Sequence, residues 1–90
     1  MNPAHEDLRI PGLDAGESFI YQWQYGMFDK SDFAYAFCNV MAVADEVNLD
    51  LLHMGFPKEI DALRDYQSTE GWWPRVEETG QIAMRSHSII

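Results

Sequence analysis

Three observations predict an all-α fold for this 90-residue chain. A helical apolar period holds over seven successive positions, start and stop residues bracket it, and no two alternating segments are joined as a convincing hairpin. The period lies in SDFAYAFCNVMAVADEVNLDLLHMGFP, residues 31–57, where Phe33, Phe37, Val40, Ala44, Val47, Leu51 and Met54 recur at steps of four and three. Such a seam belongs to a helix that packs along its whole length. The reading is therefore a small three-helix domain built on one long central helix, residues 31–54, spanning roughly 34 Å at ~1.5 Å per residue. Ser31 is placed to cap it and Asp32 to favour the positive end of its dipole. Gly55 is expected to end it in a left-handed Schellman conformation, with Phe56 supplying the apolar contact and Pro57 opening the next helix.

The other elements follow along the chain. Residues 1–13, with Pro3, Pro11 and Gly12, have no period and read as an irregular lead-in that drapes Leu8, Ile10 and Leu13 over the core. Asp14 with Glu17 three residues on forms a capping-box signal. The segment after it, ESFIYQWQYGMF, is read as a helix carrying Phe19, Ile20, Trp23 and Met27 on one face. Phe19, Tyr21, Trp23 and Tyr25 also alternate as a strand would, so the alternative fold is α+β, with a short strand at 19–25 paired with 81–85. Residues 57–67 place Ile60, Leu63 and Tyr66 or Gln67 on one side of a short amphipathic helix. Trp72-Trp73-Pro74 is expected to be a loop laying indole rings over the bundle, one buried and one partly exposed. The whole, 1–90, reads as one domain with a helical core at 14–77 and a loose tail at 78–90.

Composition narrows the function. With 47% apolar and 13% aromatic residues the chain can build a core, and no apolar run approaches the ~18 residues of a membrane span. The N-terminus lacks a signal peptide's basic and apolar regions, so a cytoplasmic location is expected. Fifteen acidic residues against six basic ones give a formal charge of −9, which disfavours direct nucleic-acid binding, because phosphate neutralisation needs clustered Lys and Arg. Such acidity serves solubility, or else complements a basic protein surface.

Catalytic and metal chemistry find no support in the motifs. Cys38 is the only cysteine and is expected to be a small buried hydrophobe. His5, His53 and His87 have no metal-ligand spacing, and neither a G-x-S-x-G elbow nor a glycine-rich phosphate loop occurs. Neither a cofactor nor a metal is expected. Asp45, Glu46 and Asp50 cluster within little more than a turn, the pattern of a solvated helix face or a partner contact. Tyr35, Ala42 and Leu49, flanked by Cys38 and Leu52, make a second apolar side opposite the seam. Cover for it comes either from the N-terminal segment and the tryptophan loop or, if it is exposed, from a homodimer or another partner.

The stretch ADEVNLDLLHMGFPKEIDALRDYQSTEGWW resembles a recurrent pattern in small phage and prophage proteins of uncharacterised function. The matching steps are Ala44-Asp45-Glu46, Asn48-Leu49, Gly55-Phe56-Pro57, the acidic segment 58–66 and Gly71-Trp72-Trp73, about a third of the chain. The resemblance implies a phage-borne accessory protein, and anti-CRISPR proteins are similar in size and charge. The expected function is thus a non-enzymatic protein-binding factor, an inhibitor of host defence docking an acidic face on a basic, nucleic-acid-handling complex. Asp45, Glu46, Asp50, Glu59, Asp61 and Asp65 are the charge candidates, with Trp72 or Trp73 as anchor. The alternative is a phage structural or assembly protein, a homodimer joined through Tyr35, Ala42 and Leu49.

Overall fold

The computed structural model describes residues 9–89, with side chains through Arg85. Leu8 and His5 lie outside the described residues, and so does the side chain of His87. The described chain is all-helical, as expected, but with five helices instead of three: α1 Ala15–Gln24, α2 Phe33–Val43, α3 Glu46–Gly55, α4 Pro57–Ser68 and α5 Trp72–Ile89. Residues 19–24 are helical and no strand occurs among the described residues, so the α+β alternative is set aside.

Local chemistry explains each boundary. The Asp14 side chain accepts from the Glu17 amide at 2.8 Å while Glu17 accepts from the Asp14 amide at 3.0 Å, the capping box read from the sequence. Pro57 opens α4, where its missing N–H costs nothing.

The long central helix is corrected. It breaks at Ala44 and Asp45, both extended, because the Asp45 carboxylate caps α3 by accepting from the Asn48 amide at 2.9 Å. Asp is a poor interior residue for the same reason that it is a good cap: its short carboxylate competes for backbone N–H groups. The chain then folds back, so that Phe33 and Phe37 at the start of α2 meet Phe56 just after α3, with ring centroids 6.1 and 4.4 Å apart. Ser31 is not the cap residue, that place falling to Asp32 without a side-chain bond. Gly55 is not left-handed, and α3 ends on Phe56 at φ −135°.

The tryptophan loop and the loose tail are corrected together. Trp72 and Trp73 are the first two residues of α5, an 18-residue helix. Pro74 sits in its first turn, where proline is tolerated. Trp72, Val76 and Gly80 are buried and Ala83 is half-buried, a helical spacing that small residues conceal in the sequence.

α1 and α4 form the centre, α3 lies against α4, and α5 packs on both α1 and α4. Ile20, Ile60 and Val76 are fully buried where these helices meet, and Ile10 and Leu13 close one side. Ser18 holds the lead-in: its Oγ accepts from the Ile10 amide at 3.0 Å and from Gln22 Nε2 at 3.1 Å, all inside the core. Trp73 wedges between Tyr21 at 6.2 Å and, edge-on, Tyr66 at 5.4 Å. The Cα envelope measures 43 × 33 × 18 Å, a slab no more than two helix layers thick.

Candidate protein-binding surface

The seam between α3 and α4 gathers most of the acidic residues singled out in the sequence. One Arg64 nitrogen reaches Glu46 Oε1 at 3.1 Å and Asp50 Oδ1 at 2.7 Å, and His53 meets Asp61 Oδ1 at 2.9 Å. The hydrogen bond that Arg64 donates to Asp50, together with both carboxylate charges, holds the Arg64 guanidinium pKa above its ordinary value, although partial desolvation acts the other way. Asp45 adjoins this group through its cap. Asp65 accepts from Thr69 Oγ1 at 2.9 Å and continues the side of α4 that carries Asp61. Glu59 stands about 200° from Asp61 around α4, at ~100° per residue, and belongs to the other side.

Five carboxylates thus crowd one seam with one guanidinium among them. Their ion pairs do not bury them: the side chains of Glu46, Asp50 and Asp61 are 77%, 72% and 64% exposed. Such pairs set side-chain geometry more than they stabilise the fold. The face remains electronegative and reachable. Among the described residues no group of His, Cys, Asp and Glu is arranged to hold a metal ion.

The two tryptophans divide. Trp72 is a core residue at 8% exposure, which leaves little of it for an incoming surface, whereas Trp73 is half-buried. The trio Tyr35, Ala42 and Leu49 does not form a patch: Leu49 is 4% exposed and packs in the core, Tyr35 is half-buried and Ala42 is exposed. Cys38 is buried, and desolvation pushes its thiol pKa from 9.0 up to about 12, so it stays protonated at neutral pH.

The structure also reverses the expected inside and outside of α2 and α3. Of the seven seam residues only Phe37 is buried. Phe33, Val40, Val47, Leu51 and Met54 are 48–81% exposed, and Val43 is 84% exposed. The core instead takes Cys38, Met41 and Leu49, with Leu52 half-buried beside them. Apolar spacing alone cannot separate two apolar sides of one helix. The separating signal was Asp45, since reading it as a cap breaks the seam and turns the Leu49 side toward α4.

Among the described residues no helix is long and apolar enough to cross a membrane. Comparison with protein-family models, with curated proteins and with solved structures finds no match to the chain in any of the three.

Proposed function

We propose that the chain is a non-enzymatic protein-binding factor, a phage-borne inhibitor of host defence that presses its α3–α4 seam onto a basic, nucleic-acid-handling protein complex. The observation that carries this reading is the exposure of Glu46, Asp50 and Asp61 on one seam, where Arg64 offsets only part of the charge. A carboxylate row fixed by Arg64 and His53 offers a preset pattern to cationic side chains that otherwise hold phosphates. Its main effects are on encounter rate and partner choice. Of the two indoles Trp73 is the more exposed, but it packs on Tyr66, ~140° around α4 from Asp61, so it offers a second contact on the Glu59 side of that helix and not an anchor within the seam.

The test is capture by the immobilised protein from a bacterial lysate containing a CRISPR effector complex, followed by elution with rising salt. Retention of that complex, its release as salt rises, and at least a tenfold weaker hold by the double variant Glu46→Lys/Asp61→Lys are the expected results. Asp45 is left untouched because it caps α3. Binding indifferent both to salt and to the charge reversal refutes the reading.

A further inference from the structure

Helix α2, FAYAFCNVMAV, contains no charged residue in a protein of formal charge −9, yet much of it lies at the surface. Phe33, Val40 and Val43 fall within ~80° around α2, and Val47, Leu51 and Met54 within ~60° around α3, counted at ~100° per residue. Val43 and Val47 flank the Ala44–Asp45 joint, so the two stripes run up to the fold-back from either side in the chain. We propose that this apolar ridge is the interface of a homodimer, packed against the same ridge of a second copy, with both acidic seams left exposed.

Area, thickness and charge all choose that occupant. From their fractional exposures the six residues present about 700 Å², more than the ~300–600 Å² of the largest patch on an ordinary monomer and close to the ~800 Å² per partner of a stable interface. In a slab 18 Å thick no third layer covers α2 and α3 from within the described chain, and an isologous contact supplies that layer with the same apolar chemistry. A second copy carries the same −9, so it approaches with least repulsion over α2, which holds no charged residue, while Asp50 borders the α3 half of the ridge. A membrane surface fits poorly: neither α2 nor α3 contains a Lys or Arg, the residues that hold an interfacial helix to anionic lipid. A basic partner protein gains its charge complementarity at the α3–α4 seam, not on the ridge.

Sedimentation equilibrium from a few to several hundred micromolar tests the proposal on the full chain. The expected result is a mass rising from 10.4 kDa toward twice that value, with the dimer holding or tightening as salt screens the like charges. Leu51→Asp and Leu51→Lys, at a residue 60% exposed, each weaken the dimer tenfold or more while leaving the helical circular dichroism and melting temperature of the monomer unchanged. The Lys variant lowers the net negative charge and the Asp variant raises it, so loss in both reports lost apolar burial. Val43→Lys, on the other side of the joint, repeats the result without touching α3. A chain that stays monomeric at every concentration overturns the proposal, and so does a dimer indifferent to all three substitutions. The salt response keeps the two readings apart, because capture through the acidic seam weakens under the same salt that favours the dimer.

Discussion

Gly16 lies in the first turn of α1 with a backbone that any residue can adopt, and surface reasoning says that Ala there gains ~0.8–1 kcal/mol of helix propensity. The packing predicts the opposite sign. A Cβ at Gly16 would stand 3.0 Å from both the Lys58 carbonyl carbon and the Ala62 Cβ, and closer still to the Lys58 carbonyl oxygen. Carbon atoms prefer about 3.5–4.0 Å, and neither a backbone carbonyl nor a Cβ can rotate away, so α1 and α4 must part by roughly 0.5–1 Å. That opening loosens the contact through which Ile20, Ile60 and Leu63 are buried. Overpacking of this kind costs ~1–3 kcal/mol, and with two rigid partners the upper half applies, leaving a net loss of about 1–2 kcal/mol for Gly16→Ala after the propensity gain. Urea unfolding reads it directly, as does a fall in melting temperature of roughly 5–15 °C. Gly80→Ala follows the same logic, since its Cβ would enter the ring of buried Tyr21. Gly55→Ala is the control: nothing stands within 4 Å of its Cβ, and the substitution gains a few tenths to ~1 kcal/mol. If Gly16→Ala proves as stable as the native chain while Gly55→Ala behaves as stated, the close approach of α1 and α4 is wrong.

Two further outcomes follow from the caps and the core. Asp45→Ala removes the bond to the Asn48 amide and lowers stability by about 1 kcal/mol in urea unfolding, whereas Asp45→Asn retains most of it. Cys38, its thiol raised from 9.0 to about 12, favours the folded state fully below pH 9, and that contribution drains away as pH climbs toward 12. At pH 10 the loss is about 1 kcal/mol. Cys38→Ala lacks this part of the slope, whereas Tyr21, also raised by burial, titrates alike in both proteins and cancels from the comparison. Equal pH slopes in the two proteins would place Cys38 in contact with water.

The fold class and two of the helix starts were legible because they rest on local chemistry. Asp14 with Glu17, and Pro57 after Gly55-Phe56, act through bonds or dihedrals within a few residues, so sequence spacing is enough to find them. α5 was not legible. Its inward positions, Val76, Gly80 and the half-buried Ala83, are small, and at Gly80 the ring of Tyr21 fills the space a side chain would take, a fact about α1 that residues 72–89 do not carry. The split between α2 and α3 lay between these cases. Asp45 was visible, but as part of an acidic run it read as charge, and its role as a cap depended on a competing seam being discounted.

The failed seam is itself informative about function. Seven apolar residues at helical spacing are the mark of a face that is covered, and the fold covers only Phe37 fully while exposing Phe33, Val40, Val47, Leu51 and Met54. Solvent imposes no such pattern, because an exposed helix side is free to be polar and α4 shows what that looks like, with Lys58, Asp61, Gln67 and Ser68 outside. The pattern therefore asks for a surface beyond this chain's own described core. On the function we propose, the acidic seam beside it meets something different, a cationic surface reached through water. Glu46 and Asp50 reach Arg64 of α4 while Val47, Leu51 and Met54 occupy the adjoining side of α3, with Asp50 only ~40° from Met54, so the acidic seam and the apolar stripe share an edge along one helix. A dimer through the ridge presents two seams at once, and a target with two basic sites within reach is then held by avidity that neither seam supplies alone.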